Sequence, residues 1–175
     1  MSALLNRRFL IQNMCFMYRI MVASAPLLEF SIPLSKGRLR DYYLQHLDEE
    51  VGHEEMLLAD LKALGVNEVS HFYAAAMAAG AQYYLVAHHH PALLLGYMHV
   101  LESQPLTLGA IEEIEAVHNC TLSALRHHAE HDPQHREDLA AMIESQPQEL
   151  RSAIAWNEQC VKDLLQAEFQ RWLDA

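Results

Sequence analysis

The spacing of apolar residues constrains this chain most strongly, because they recur three or four residues apart along most of its length. No stretch of strand length alternates apolar with polar residues, and proline or glycine separates the periodic segments. The pattern therefore predicts an all-α fold. The predicted helices cover residues 3–24, 38–64, 69–87, 91–103, 110–118, 120–145 and 147–173.

Proline and glycine set the predicted helix ends. The first helix is predicted to end before Pro26, because a proline inside a helix removes a backbone hydrogen bond. Gly65 stands where a glycine commonly caps a helix, and Pro91 suits the first turn of a later one. Pro133 falls inside a predicted helix and deprives an earlier carbonyl of its donor, so we expect a kink or break near residues 129–132.

The length of 175 residues suits one domain with its own core. Hydrophobic residues make up 51% of the chain and charged residues 20%, which is the composition of a globular protein and not of a disordered one. We therefore expect a single helical domain over residues 1–175. It would comprise an N-terminal helix and loop at 1–37, a central core at 38–145 and a C-terminal helix at 147–173.

The charge balance and the cysteines exclude several functional classes. Lys and Arg number 12 against 23 Asp and Glu, so the net charge of −11 disfavours binding to nucleic acid. The three cysteines, Cys15, Cys120 and Cys160, show no Cys-x-x-Cys spacing, which argues against a disulfide framework and a zinc knuckle. Free cysteines fit a reducing compartment, so we expect a cytoplasmic protein.

The N-terminal segment has some features of a signal peptide, because Arg7 and Arg8 precede an apolar stretch with small residues at 22–25. Gln12, Asn13 and Arg19 interrupt that stretch, and its apolar residues fall near helical spacing. We expect an amphipathic helix that docks on the core. Nowhere does the sequence hold about 18 uninterrupted apolar residues, so no membrane span is predicted.

The 12 histidines carry the functional signal, because several fall at helical spacing from acids. His46, Glu50 and His53 stand at positions i, i+4 and i+7 of the predicted 38–64 helix, within about 60° of arc on one face. His128, Asp132 and His135 repeat this i, i+4, i+7 spacing in the predicted 120–145 helix.

Glu102 is a further candidate ligand. It ends a mostly apolar segment that we expect to be buried, and a buried carboxylate needs a charged or polar partner. Each motif alone is common on solvated helices, and the segment around His128 is polar enough to face solvent. If the three helices pack together, they bring imidazoles and carboxylates to one point. That is the ligand chemistry of a non-haem iron or manganese centre in a helical bundle.

At these residues the sequence resembles the haem-oxygenase-like iron-containing redox enzymes, which are non-haem diiron oxidases and oxygenases related in fold to thiaminase-II and PqqC. The resemblance covers about residues 39–145. The ordered motifs that carry it are His46-Leu-Asp-Glu-Glu50-Val-Gly-His53, Gln82-Tyr83-Tyr84, Leu94-Leu95-Gly96-Tyr97 with Glu102, and His128-Ala-Glu-His-Asp132-Pro-Gln-His135.

The resemblance implies a compact bundle of about six to seven helices and an O2-activating oxidoreductase. Its cofactor would be Fe(II), as two ions, with manganese as an alternative metal and O2 as co-substrate. Its substrate would be a small organic molecule, such as an amino acid or another carboxylate, in a biosynthetic pathway of specialised metabolism. The implied ligands are Glu50, His53, Glu102, His128, Asp132 and His135, with His46 as an additional candidate.

Two departures from the family leave alternatives open. Several relatives carry a carboxylate one or two turns before the first ligand histidine, where this chain has His46 and Tyr43, so the number of metals is open. Residues 1–37 match only loosely, and a homodimer would complete the pocket. The rival functions are a metal-free enzyme of the thiaminase-II and PqqC type and a non-enzymatic helical metal-binding or interaction module.

Overall fold

The computed structural model describes residues 2–103 and 106–174, apart from the side chains of Ser2, Asp132 and Pro133. Over these residues the chain forms eight α-helices and no strand, which confirms the predicted all-α class with one helix more than expected. The helices are α1 (Arg7–Ser31), α2 (Gly37–Glu50), α3 (His53–Ala63), α4 (Tyr73–His88), α5 (Leu94–Glu102), α6 (Leu108–His118), α7 (Ser123–Glu144) and α8 (Gln148–Leu173).

The first helix does not end before Pro26, as predicted, but continues to Ser31. Pro26 is exposed on the helix surface, where water can bond the Val22 carbonyl that the proline leaves without a donor. Helix α7 likewise continues past Pro133, so the break expected near residues 129–132 is absent from the described backbone. A proline costs one hydrogen bond, and a long helix packed on a core keeps its remaining bonds.

The predicted 38–64 helix is two helices, because the chain turns between Glu50 and His53. Val51 is extended, with φ −62° and ψ 121°, and Gly52 adopts the left-handed φ of 93° that favours glycine. His46 and Glu50 therefore lie on α2, whereas His53 is the first residue of α3. The single helical face proposed for these three residues is wrong, and their proximity depends on the turn at Gly52.

Helix α1 lies between two groups of buried apolar side chains. Leu10 and Met14 belong to a core that α1 forms with α3, α6 and α7. Phe16 and Ile20, one to two turns later, belong to a second core shared with α2, α4, α5 and α8. Arg7–Leu34 is the one stretch in the described part of the chain that is long and apolar enough to cross a bilayer, and core helices of this kind meet the same criteria.

Helices α5 and α8 pack very closely at Gly96. A Cβ atom on this residue would lie 2.4 Å from the backbone oxygen of Ile154 and 3.0 Å from the backbone nitrogen of Glu158. Only glycine allows this approach, because any side chain would overlap the α8 backbone. The contact fixes the position of α5, whose last residue is Glu102.

Candidate metal centre

The turn at Gly52 brings His53 beside Glu50. The Nδ1 atom of His53 lies 3.6 Å from Oε1 of Glu50, and Nε2 of His46 lies 3.8 Å from the same oxygen. Both imidazoles are buried, with 5% of His46 and 6% of His53 exposed. The Glu50 carboxylate therefore lies between two buried histidines, although the three residues belong to two helices.

Glu102 enters this group from α5. Its side chain is buried, and its Oε1 lies 3.3 Å from Nε2 of His46. A buried carboxylate needs charged or polar neighbours to offset its loss of hydration. The sequence prediction that Glu102 joins the histidine group therefore agrees with where the structure places it.

Helix α7 supplies two further histidines. The rings of His53 and His128 meet edge to face, with centroids 5.0 Å apart, and those of His46 and His135 do so at 5.7 Å. The Nε2 atom of His135 also lies 3.5 Å from Oε2 of Glu49. Asp132 was predicted as a ligand between these two histidines, but its side chain lies outside the described residues.

Glu49 is a site residue that the sequence analysis missed. One donor atom each from His46, Glu49 and His135 lie within 4.8 Å of one another, a spacing that suits a shared metal ion. The available signal was the i, i+3 spacing of His46 and Glu49, which puts them on neighbouring turns of α2. The structure brings the described candidates together in one region between α2, α3, α5 and α7, and their metal binding stays a prediction.

Electrostatics keep the buried groups in the protonation states that metal ligands need. Burial is the main cause that lowers the pKa of His46, opposed by the nearby Glu50 carboxylate, so the imidazole favours its neutral form. Burial alone would raise the pKa of Glu50, but the His53 side chain and the neighbouring His46 outweigh it, and the pKa is lowered. Glu50 therefore favours the ionised carboxylate, and His46 beside it favours the neutral imidazole.

The donor set fits iron. Imidazole nitrogens with carboxylate oxygens suit non-haem iron or manganese, whereas thiolates would favour zinc or copper. None of the three cysteines lies among the described residues that line the adjoining cavity, and Cys15 is buried in the core around Leu10. A thiol mechanism of the thiaminase-II kind thus has no cysteine in position among the described residues.

The histidine and glutamate group forms part of the wall of a partly open cavity of about 320 Å³. His46, Glu50, Glu102 and His128 line it, and most of the remaining wall consists of apolar side chains from α1, α5 and α8. Pockets of this size suit small organic ligands. The arrangement places candidate metal ligands directly beside a space for a substrate.

Two tyrosines flank the group, of which Tyr97 is buried and Tyr42 is partly buried. The Tyr42 ring stacks on that of His46, with centroids 5.8 Å apart and an interplanar angle of 18°. Its hydroxyl has no hydrogen-bond partner among the described residues, and the same holds for Tyr97 on the cavity wall. Burial, followed by the nearby Glu102 and Glu49 carboxylates, raises the pKa of Tyr42, so its hydroxyl stays protonated.

Comparison with known proteins gave one family and one solved structure. A family model described as iron-containing redox enzyme matches residues 7–162. A crystal structure of a domain of unknown function with a heme oxygenase-like fold, from Shewanella denitrificans OS217, is similar with a TM-score of 0.78 and 19% identity. The match covers 99% of this chain and 79% of that one. No curated protein matched.

Proposed function

Because the chain belongs to the iron-containing redox enzyme family, we propose that it is a non-haem diiron oxidase or oxygenase that acts on a small organic molecule. The similar crystal structure supports only the haem-oxygenase-like fold. The observation that carries the proposal is the convergence of buried imidazoles and carboxylates on the wall of an apolar cavity.

The described ligand candidates divide into two groups. One contains His53 and His128, whose rings are in contact, and the other contains His46, Glu49 and His135. Two carboxylates, Glu50 and Glu102, would help these histidines to hold the metal. Glu50 lies within 3.8 Å of histidines from both groups, and Glu102 reaches His46 from the cavity wall. In this proposal Asp132 is a further ligand, as its place in the sequence motif implies.

Fe(II), when bound, supplies the electrons and open coordination positions that O2 activation requires. The neutral form of His46 leaves a ring nitrogen lone pair for coordination, and the ionised Glu50 offsets positive charge. The apolar wall excludes water from the reacting groups and holds the substrate beside them. Tyr42 and Tyr97 place neutral hydroxyl donors close to the same carboxylates.

The proposal also includes the cellular location, the metabolic setting, the alternative metal and the assembly of the protein. Free cysteines and the acidic charge suit a cytoplasmic enzyme, and specialised biosynthesis is the setting that the family resemblance implies. Manganese is the alternative metal, because it accepts the same ligands. A homodimer is the proposed assembly.

An anaerobic Fe(II) titration of chelator-treated, full-length protein tests the proposal, followed by exposure to O2. We expect about two irons per chain and an O2-dependent absorption band. A parallel Mn(II) titration identifies the preferred metal. Stoichiometric binding without any oxygen-dependent change would favour the metal-storage module, and no stoichiometric binding would overturn the proposed function.

Two histidine variants locate the site. His53→Ala should lose at least one iron per chain while keeping its helical circular dichroism, because it removes a buried ligand. His71→Ala is the matched control, since His71 is exposed and lies away from the ligand candidates. Full iron stoichiometry in His53→Ala would rule out the assigned ligands.

A further inference from the structure

The shape of the cavity restricts what it can hold. Its wall includes side chains along α1 from Asn13 to Leu28, and the fifteen helical rises between these two residues span about 22 Å. A volume of about 320 Å³ accommodates about ten groups of the size of a water molecule. A small volume spread along a long helix face makes the space long and narrow, which suits an extended chain better than a compact ring system.

The chemistry of the wall restricts the ligand further. Apart from the four candidate metal ligands, the polar side chains that line the cavity are Asn13, Ser24 and Tyr97. Neither lysine nor arginine is among the described lining residues. Arg126, the basic residue of α7 nearest in sequence to the ligand His128, instead pairs with Glu115. A free carboxylate on the ligand would therefore meet acidic residues without a cation from the protein.

Tyr97 is one of the three described polar side chains that line the cavity besides the candidate metal ligands. Its side chain is 2% exposed, it lies on the cavity wall, and its hydroxyl has no hydrogen-bond partner among the described residues. Burial, then the nearby Glu50 carboxylate, raises its pKa, so the hydroxyl is a donor at neutral pH. A buried donor without a partner is unfavourable, and an acceptor on a bound ligand would satisfy it.

We propose that the cavity binds an extended, uncharged and mainly hydrocarbon substrate of about ten heavy atoms, whose oxygen accepts a hydrogen bond from Tyr97. This assignment rests on the proposed function, because it makes the cavity the substrate site of the metal centre. Tyr97 interacts electrostatically with Glu50, which also lines the cavity, so the oxygen-bearing end of the chain would lie on the metal-ligand side.

Isothermal titration calorimetry with three probes tests the class of ligand. The probes are 1-decanol, decanoate with the same chain and a charge, and cyclododecanol with a hydroxyl on a compact ring. Titrations use full-length protein, both chelator-treated and loaded with redox-inert Zn²⁺. We expect 1-decanol to bind once per chain in both forms, and cyclododecanol to bind at least about 10-fold more weakly in both. Decanoate should bind at least about 10-fold more weakly than 1-decanol to the chelator-treated protein, where no metal ion can coordinate its carboxylate. Binding of cyclododecanol, or of decanoate to the chelator-treated protein, that equals the binding of 1-decanol would overturn the proposal.

Two conservative variants test the role of Tyr97. Tyr97→Phe should weaken 1-decanol binding about 3- to 10-fold while leaving iron stoichiometry unchanged, because it removes one hydrogen bond and keeps the ring. Tyr84→Phe is the matched control, since Tyr84 is exposed, packs on His88 and is not among the described lining residues of the cavity. An unchanged affinity in Tyr97→Phe would refute the hydrogen bond.

The two proposals can fail separately. Normal iron binding and oxygen reactivity without 1-decanol binding would overturn the ligand class and leave the diiron function intact. Binding of 1-decanol by protein that takes up no iron would overturn the diiron function and leave the ligand class intact.

Discussion

At the scale of single residues, burial sets the chemistry of the site. His46 is 5% exposed, and its desolvation favours the neutral imidazole that coordinates metals. Glu50 remains ionised despite burial because histidines surround it. On an exposed helix, the same two residue types would form a solvated ion pair that contributes little to stability.

Glu49 should act as a metal ligand, although it is about one third exposed. We predict that Glu49→Gln lowers the affinity for the second iron by about 10-fold or more, because an amide oxygen is a weaker ligand than a carboxylate. Iron titration followed by metal analysis measures this. Asp48→Asn removes the adjacent, exposed acid and should have no effect. Equal losses in both variants would indicate a general effect of charge and not a ligand.

At the scale of the elements, turns decide where ligand residues meet. Gly52 joins α2 to α3 with a φ of 93° and places His53 beside Glu50. Gly96 lets α5 approach α8 and so positions Glu102. Neither residue carries a functional group, yet both determine the geometry of the candidate centre.

Two glycine variants should shift stability in opposite directions. Gly52→Ala should lower the free energy of unfolding by about 1 to 2 kcal/mol, because a Cβ is strained in the left-handed region. Gly80→Ala on the exposed face of α4 should raise it by about 0.5 to 1 kcal/mol, since alanine favours a helix. A Cβ would meet no atom within 4 Å at either position, so the difference in stability between the two variants reports the effect of backbone conformation alone. Equilibrium urea unfolding measures both free energies. A change of the same sign in the two variants would contradict the prediction.

Glu115 ties α6 to the start of α7. Its Oε1 accepts hydrogen bonds from the Leu122 backbone N–H at 2.8 Å and from Nε of Arg126 at 2.9 Å. The Arg126 hydrogen bond is the main cause that lowers the pKa of Glu115 below its ordinary value of 4.5. A lowered carboxyl pKa stabilises the fold above pH 4.5, and this contribution is lost as the pH falls through the lowered value.

We predict that Glu115→Gln lowers the Tm at pH 7 by about 2 to 6 °C and that the gap from the wild type narrows below pH 4.5. Thermal unfolding followed by circular dichroism at several pH values measures both. Glu113→Gln, an exposed neighbour on α6, serves as the control and should melt like the wild type. A gap that widened at acid pH would contradict the sign of the pKa shift.

At the scale of the whole molecule, the candidate centre joins parts of the chain that are far apart in sequence. Its described residues come from α2, α3, α5 and α7, and α1 forms a long part of the cavity wall. A metal held by these helices would bind the folded chain and not the unfolded one, because the ligands converge only in the fold.

Metal binding should therefore raise thermal stability. At a free Zn²⁺ or anaerobic Fe(II) concentration of 100 times Kd, one site contributes about 2.7 kcal/mol, which corresponds to about 5 to 11 °C in Tm. Differential scanning calorimetry with and without chelator measures the shift. His53→Ala should lose most of it, and His71→Ala should keep it. A shift of the same size in His53→Ala would place the bound metal elsewhere.

Local sequence patterns were enough to predict the helical class, the family and most candidate site residues. Helical periodicity and a motif such as Glu50-x-x-His53 are local properties, so they are readable without a structure. The predicted class and family are confirmed, whereas the ligand assignments stay predictions.

Only the tertiary structure decided where helices end and which side chains meet. Pro26 lies inside a helix, although a helix end was predicted there, because packing against the core outweighs the small preference of one residue. Gly52 lies between two helices, although the periodic pattern predicted one continuous helix, and its left-handed φ of 93° allows the turn. The proximity of Glu49 to His135 and the cavity beside Tyr97 depend on contacts between distant segments. Such contacts arise from burial of the whole chain, which no local spacing encodes.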